Sequence, residues 1–290
     1  MMKTFMVTGA AGGLGRAVVA AALQAGHRVA ATDLDPGSLR VPHEHRARMR
    51  VLPLDVTSPD AAREAVRDAV DAFGGVDVLV NSAGYRSVGS IEDTPDEEFR
   101  RNFEINFFGA VNTARAVLPV MRPRRAGHIV NVSTIGGRRA QPGLGAYQAS
   151  KWALGGFTEI LARETAPLGI RTTLVEPGGI RTAWAAAALS LPHLHEDYDA
   201  TVGAFARTYS QNPDVQRGDP AKMAHAIVQI TDEPQPPVRL LLGSDAVWLA
   251  PRIAQARARE DAAWRELSLS TDLDGLGDFA DTAVARMVKP

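Results

Sequence analysis

The chain has 290 residues, of which 45% are hydrophobic and 22% are charged, a composition typical of a globular protein. Its net charge of −1 gives no indication of a nucleic-acid partner, and the lack of cysteine excludes disulfides and thiolate metal sites. No apolar run approaches the ~18 residues of a membrane span, and the N-terminal run is too short for a secretory leader, so we expect no membrane association and a cytoplasmic location.

Short apolar runs alternate with longer helical patterns along the chain. Runs such as 78–80 and 129–132 are largely without alternation of polar and apolar residues, which is typical of strands buried on both faces. This order predicts an α/β fold, a single Rossmann-type doubly wound parallel sheet of about seven strands with helices on both faces. In chain order we predict strand 3–8, helix 13–25, strands 28–33 and 50–55, a helix from 58, strand 76–81, a helix from 94 to 121, strand 127–133, helix 146–168, strand 170–176, helix 220–231 and strand 238–242.

Two helix starts carry capping signals. Ser58 followed by Pro59 predicts an N-cap and a first helical residue. Thr94 and Glu97 have the spacing of a capping box.

We predict one dinucleotide-binding catalytic domain over residues 1–270 and a C-terminal tail over 271–290. The insertion at about 178–218 follows the sixth strand, where ligands of such sheets bind, and we interpret it as a substrate lid. It contains His193 and His195, but no third ligand stands out, so we predict no metal site.

The segment from Thr8 to Gly15 joins the first strand to the first helix and reads TGAAGGLG. Its glycines permit a tight turn and close approach of a pyrophosphate to the helix N-terminus. Asp33 ends the second strand, 18 residues after Gly15, where a carboxylate can accept hydrogen bonds from the adenosine ribose. Leu34 and Asp35 follow instead of a basic residue. This favours NAD over NADP as the cofactor.

Tyr147 and Lys151 are four residues apart in a predicted helix and therefore share a face. An ammonium about 4 Å from a phenolate contributes about 4 kcal/mol at an effective dielectric near 20. We therefore expect Lys151 to lower the pKa of Tyr147 by about three units, towards neutral pH, so that Tyr147 can exchange protons.

In order and spacing, these motifs resemble those of the short-chain dehydrogenase/reductase family, in its compact branch, over residues 3 to 243. The resemblance rests on the glycine loop, the segment NSAG at 81–84, the segment NFFG at 106–109, and Tyr147 with Lys151. Asp55-Val56 resembles the family's adenine-contacting pair, and Pro177-Gly178 with Thr182 beyond resembles its nicotinamide-side loop. NSAG departs from the family's NNAG signature by one serine.

The resemblance implies hydride transfer between a nicotinamide cofactor and a secondary alcohol or ketone. Tyr147 would be the general acid and base, Lys151 would support it and hold the nicotinamide ribose, and Asn106 would position a water for proton relay. The implied cofactor-binding residues are Gly9, Gly13, Leu14, Gly15, Asp33, Leu34, Asp55, Val56, Asn81, Ala83, Gly84, Tyr147, Lys151, Pro177, Gly178, Ile180 and Thr182.

The family's catalytic serine is replaced here. Its place, 13 residues before Tyr147, is occupied by Thr134, and Ser133 precedes it. Threonine keeps the hydroxyl but adds a methyl group that stiffens χ1. Because successive strand residues face opposite ways, we expect one of the two hydroxyls, that of Thr134, to orient the substrate oxygen.

The substrate is the least determined feature. Apolar side chains around the site favour a secondary alcohol or ketone on a hydrophobic body, such as a steroid-like, retinoid-like or polyketide-like compound. The arginine pairs at 124–125 and 138–139 are interpreted as solvated, with contact between the second pair and an acidic substrate group as the alternative. The candidate wall residues are Tyr85, Phe107, Phe108, Trp152, Trp184 and the run 183–189.

Two other hypotheses stay open. A catalytically silent dinucleotide-binding sensor of the same fold is one. An enzyme that uses NAD to epimerise or dehydrate nucleotide-sugars is the other, although its usual loop and longer C-terminal domain are not seen.

The family resemblance also implies a homodimer or homotetramer, assembled through the helices that contain Asn106 and Tyr147.

Overall fold

The computed structural model describes residues 1–182 and 194–287. Its internal contacts divide the chain into two compact units, residues 1–250 and 251–290. The predicted division into a domain over 1–270 and a tail over 271–290 stays a prediction.

The first unit contains a parallel sheet of seven strands in the order β3-β2-β1-β4-β5-β6-β7. The predicted fold class is confirmed. Because β1 lies between β2 and β4, the chain reverses direction across the sheet at β1, which is where ligands bind in such folds. The strands are β1 Thr4–Thr8, β2 Arg28–Asp33, β3 Met49–Pro53, β4 Val78–Asn81, β5 Gly127–Val132, β6 Ile170–Pro177 and β7 Arg239–Leu242.

Helices cover both faces of this sheet, and alternate strand residues face opposite layers. In β1, Phe5 and Val7 pack in the cluster that includes α1 and α7, whereas Met6 packs in the cluster that includes α2 and α4. The helices of the described residues are α1 Gly13–Gln24, α2 Pro59–Phe73, α3 Asp96–Phe103, α4 Gly109–Arg124, α5 Gly145–Thr165, α6 Ala204–Gln211, α7 Pro220–Ile230, α8 Ser244–Ala263, α9 Arg265–Leu269 and α10 Ala283–Met287.

One predicted helix start is confirmed and the other is wrong. Ser58 caps α2, since its hydroxyl accepts a hydrogen bond from Ala61 N–H at 3.2 Å. Pro95 is the N-cap of α3 and no side chain caps it, because the Thr94 hydroxyl donates to the Ser90 carbonyl at 2.6 Å instead.

The long helix predicted from residue 94 to 121 is interrupted. A π-helical turn, Glu104–Phe108, separates α3 from α4. Such turns occur often at functional sites because they alter backbone hydrogen bonding within a helix. Asn106 lies in this turn.

In the second unit, the described residues are almost all exposed, among them Trp264, Leu273 and Phe279. It comprises the end of α8 together with α9 and α10. Within the described part of the chain, we find no helix with the length and hydropathy that a membrane crossing requires.

Candidate active site

The glycine loop is defined by close backbone contacts. Gly9 and Gly13 have φ values of +65° and +50°, which favour glycine. A Cβ on Gly15 would lie 2.2 Å from the Gly9 carbonyl oxygen, and a Cβ on Gly9 would lie 2.7 Å from the Ala83 Cα. The loop therefore packs directly against the turn after β4, and side chains are excluded from this contact.

Thr8 joins the same two turns by hydrogen bonds. Its hydroxyl oxygen accepts from the N–H groups of Ser82 and Ala83, both at 3.1 Å. The ends of β1 and β4 are thus held together at the point where the sheet reverses direction.

Asp33 lies at the glycine loop, as the ribose-binding interpretation requires. Its Oδ2 accepts from Ala11 N–H at 2.8 Å, and its Oδ1 accepts from Asp35 N–H at 3.2 Å. Leu34 beside it is exposed. The carboxylate is therefore fixed at the carboxyl end of β2, next to the loop.

The neighbouring pair Asp55 and Val56 lies at the end of β3. The Asp55 carboxylate accepts from the N–H and the hydroxyl of Thr57, at 2.9 and 2.7 Å. Val56 is buried, and its carbonyl accepts from the side-chain amide of Asn112 at 3.0 Å.

Asn81 belongs to a buried polar cluster between β4, β5 and α4. Its amide donates to Asn131 Oδ1 at 2.9 Å, and its Oδ1 accepts from the Thr113 hydroxyl at 2.7 Å. Both polar atoms of the Asn81 side chain are thus bonded to protein groups, so its side chain fixes the end of β4.

Asn106 anchors the turn after β4 to α5. Its side-chain amide donates to the Tyr85 carbonyl at 2.8 Å and to the Ser150 hydroxyl at 3.0 Å, while its Oδ1 accepts from Tyr85 N–H at 2.8 Å. A Cβ on Gly84 would lie 3.4 Å from Asn106 Oδ1 and 3.9 Å from Lys151 Nζ. Asn106 and Lys151 therefore face each other across Gly84.

A cavity of about 10 Å³ lies beside this cluster. That volume is on the order of what a single buried water needs. Its polar lining comes from Thr8, Asn81, Asn106 and Lys151.

Lys151 is buried, and its ammonium donates to the Val132 carbonyl at 2.9 Å. Burial lowers the pKa of Lys151 to about 8, because removal from water disfavours the charged form. The ammonium is therefore held at the carboxyl end of β5 and is lost at mildly alkaline pH.

For Tyr147 the expected pKa direction is wrong. Burial raises the pKa of Tyr147 to about 12, since it disfavours the phenolate. The Arg86 guanidinium and a hydrogen bond with Thr134 act in the opposite direction and are outweighed. The spacing of Tyr147 and Lys151 reveals a neighbouring charge, but it does not reveal the burial of the phenol, which dominates its pKa.

Thr134 and Ser133 face different partners. The hydroxyls of Thr134 and Tyr147 share a hydrogen bond, and Thr134 Oγ1 lies 3.4 Å from the Pro177 carbonyl oxygen. The buried Ser133 hydroxyl is directed at the Lys151 backbone carbonyl, at 3.5 Å. Thr134 is thus the hydroxyl beside the phenol, and its role in orienting the substrate oxygen stays a prediction.

The turn of residues 177–179 continues β6 towards the predicted lid. Gly178 N–H donates to the Leu242 carbonyl at 2.9 Å, and Ile180 forms an isolated bridge with Gly218. Thr182 ends this described stretch, and Trp184, the run 183–189 and His193 lie outside the described residues.

Sequence reasoning missed Asp245, in the first turn of α8. Its Oδ2 accepts from Gly179 N–H at 2.7 Å. Its only sequence signal is an acidic residue at a helix start, 66 residues from its partner.

The expectation that Arg138 is solvated is wrong. Arg138 pairs with Glu176, which is fully buried, and the Arg239 guanidinium donates to the same carboxylate at 2.7 Å. A buried carboxylate needs such partners, and they come from segments distant in sequence. The three residues tie the turn after β5 to the carboxyl end of β6 and to the first residue of β7.

The predicted wall residues are dispersed. Tyr85 donates its hydroxyl to Glu98, and Trp152 donates its indole N–H to the Gly136 carbonyl at 2.8 Å. Phe107 packs on Phe157, while Phe108 is exposed and lines a groove formed by α3 and the π-helical turn.

Among the described residues, no group of three or more His, Asp or Glu side chains is arranged to hold a metal.

Comparison with known proteins adds independent findings. A family model described as short chain dehydrogenase matches residues 3–190. Oxidoreductase BOA17 of Botryotinia fuckeliana is 42% identical over 273 residues, covering 93% of this chain and all of the relative. The 3-ketodihydrosphingosine reductase of Bacteroides thetaiotaomicron is 36% identical, over 83% of this chain and 88% of the relative. A crystal structure of a short-chain dehydrogenase from Streptomyces avermitilis superposes with a TM-score of 0.84 at 37% identity, over 94% of this chain and all of that one.

Proposed function

Because this chain belongs to the short-chain dehydrogenase family and is thus an NAD(P)-dependent oxidoreductase, we propose that it interconverts a hydrophobic secondary alcohol and its ketone with NAD. One observation carries the proposal. The Thr134 hydroxyl, the Tyr147 phenol and the buried Lys151 ammonium lie together beyond the carboxyl end of β5.

When bound, the nicotinamide supplies the hydride chemistry, and the protein supplies placement and proton transfer. In ketone reduction Tyr147 donates its proton to the carbonyl oxygen, and in alcohol oxidation it accepts the hydroxyl proton. A Tyr147 pKa of about 12 keeps the phenol protonated at neutral pH, which suits the reductive direction.

Thr134 orients the substrate oxygen in this proposal, since its hydroxyl already shares a hydrogen bond with the phenol. Lys151 and Asn106 line the cavity of about 10 Å³, which fits one water. After each reduction that water would pass a proton from solvent to Lys151 and on to Tyr147, and after each oxidation the proton would travel the opposite way.

The preference for NAD rests on Asp33. Its carboxylate is fixed at the glycine loop by Ala11 N–H, where it would accept from ribose hydroxyls and repel a 2′-phosphate. The exposed Leu34 offers no positive charge to offset that repulsion.

A hydrophobic substrate is supported by the relative named 3-ketodihydrosphingosine reductase, whose name denotes reduction of a keto group on a sphingoid molecule. The steroid-like, retinoid-like or polyketide-like body expected from the sequence stays a prediction, as do the cytoplasmic location and the homodimer or homotetramer.

A screen of steroid, retinoid and long-chain aliphatic ketones, followed by NADH absorbance at 340 nm, tests the proposal. Tyr147→Phe should lower kcat by about 10²–10⁴-fold, the usual contribution of a general acid, while calorimetry shows unchanged NADH binding. Tyr198→Phe is the matched control, since that exposed phenol donates to Glu92.

Two results would contradict the proposal. Full turnover by Tyr147→Phe would show that Tyr147 is not the general acid or base. NADH binding without turnover on any ketone would favour the silent sensor.

A further inference from the structure

Asp245 occupies an unusual position next to the 177–179 turn. It follows Gly243, whose φ of +103° turns the chain from β7 into α8. Its Oδ2 accepts the Gly179 N–H at 2.7 Å. The carboxylate is therefore aimed back at the end of β6.

The Asp245 carboxylate packs tightly against two glycines. A Cβ on Gly178 would lie 2.0 and 2.1 Å from the two carboxylate oxygens of Asp245, and a Cβ on Gly243 would lie 2.7 Å from Oδ1. A Cβ on either glycine would therefore displace the Asp245 carboxylate from this position.

The second oxygen, Asp245 Oδ1, is buried and accepts no hydrogen bond from any residue of the described ranges 1–182 and 194–287. A buried, unpaired carboxylate oxygen costs free energy. An acidic residue in the first turn of α8 complements the helix dipole, but an exposed carboxylate would serve that purpose, so the dipole does not explain why this one is buried against Gly179.

What the aspartate fixes is a turn that reaches the candidate active site. Gly179 accepts from Gly218 N–H at 2.8 Å on its other side, and two residues earlier the Pro177 carbonyl oxygen lies 3.4 Å from Thr134 Oγ1. Thr134 in turn shares a hydrogen bond with Tyr147. A shift of Gly179 would therefore displace the backbone beside the Thr134 hydroxyl.

We propose that Asp245 is a positioning residue whose carboxylate, through Gly179 N–H, fixes the 177–179 turn in the position that receives the nicotinamide half of the cofactor. The inference rests on the proposed function. Asp245 itself acts through the backbone and takes no part in the chemistry. The adenosine half is held elsewhere, by the glycine loop and Asp33, so the two halves of the cofactor can be tested separately.

The experiment compares NADH with ADP-ribose, which lacks the nicotinamide, by calorimetry on the full chain. Asp245→Ala should weaken NADH binding by about tenfold, the value of a lost charge-assisted hydrogen bond, and leave ADP-ribose within about twofold. Asp245→Leu fills the volume of the aspartate side chain without providing a hydrogen-bond acceptor, so it should weaken NADH binding as Asp245→Ala does. Asp245→Asn keeps an oxygen for Gly179 N–H and should bind NADH within about threefold of the wild type.

Asp232→Ala, which removes an aspartate paired with Lys3, is the control for loss of any carboxylate. Wild-type NADH affinity in both the Ala and Leu variants would overturn the proposal. A parallel loss of NADH and ADP-ribose would also overturn it, because Asp245 would then serve the fold generally. If the wild type binds neither compound, the proposed function fails instead, and with it the premise for Asp245.

Discussion

The glycine loop with Asp33 and the group around Tyr147 lie at the same edge of the sheet but are held differently. The glycine loop is held by contacts between backbone atoms. For example, a Cβ on Gly15 would overlap the Gly9 carbonyl oxygen. Around Tyr147, side chains from separate segments meet in a buried setting that shifts the pKa of both Tyr147 and Lys151. Substitutions that add atoms should therefore disturb the glycine loop most, whereas substitutions that remove a hydroxyl or a charge should disturb the group around Tyr147 most.

The largest effect that we expect on NADH binding comes from breaking the backbone contact of the glycine loop. Gly15→Ala places a methyl group 2.2 Å from the Gly9 carbonyl oxygen, and the loop must move. We expect a cost of about 3 kcal/mol, or NADH binding about a hundredfold weaker by calorimetry. Gly156→Ala is the matched control, another helical glycine with open space around its Cβ position. Equal affinities for the two variants would contradict this description of the loop.

The next effect concerns the hydroxyls near Tyr147. Thr134→Ala removes the hydrogen bond with the phenol, and we expect kcat to fall about 30-fold with NADH affinity unchanged, while Thr134→Ser stays near the wild type. Ser133→Ala should have the smaller effect, because its hydroxyl faces the Lys151 carbonyl. A larger loss in Ser133→Ala would reverse the assignment of the two hydroxyls.

The pH dependence reports the burial of Lys151. Its pKa is lowered to about 8, so the ammonium is present below that pH and is lost above it. Ketone reduction, measured as kcat/KM for NADH, should fall about tenfold per pH unit above 8. Tyr147, with a pKa of about 12, keeps its proton throughout and does not contribute. A flat profile to pH 10 would count against a buried ammonium.

Arg86 offers a related measurement in the oxidative direction. Its guanidinium lowers the pKa of Tyr147, so Arg86→Met should raise that pKa and lower the whole pH–rate profile of alcohol oxidation below pH 10, because a smaller fraction of the phenol is ionised at each pH. The half-buried Arg139 serves as the control in Arg139→Met. An unchanged profile in Arg86→Met would show that its charge does not reach the phenol.

The smallest expected effect concerns cofactor preference. Asp33→Ala removes the acceptor for the ribose and the repulsion of a 2′-phosphate, so the ratio of NADP to NAD affinity should rise about tenfold. Calorimetry with both cofactors measures it. Tighter NADP binding by the wild type would mean that Asp33 does not select NAD.

Much of the fold follows from local patterns. The order of strands and helices and the Ser58 cap were predictable because each depends on a few neighbouring residues. The interruption of the helix at Glu104–Phe108 was not predictable, because the segment contains no proline or glycine. The interruption depends on contacts of Asn106 with Tyr85 and Ser150.

By itself, the sequence determined the parallel α/β fold, the glycine loop and the spacing of Tyr147 and Lys151, because strand and helix periods and glycine geometry are local properties. Only the tertiary structure decided which groups surround the phenol and the 177–179 turn. Arg86, Thr134 and Asp245 come from separate segments, and the direction of each pKa shift depends on how deeply the group is buried. Burial is a property of the packed fold, and a charge four residues away along a helix does not reveal it.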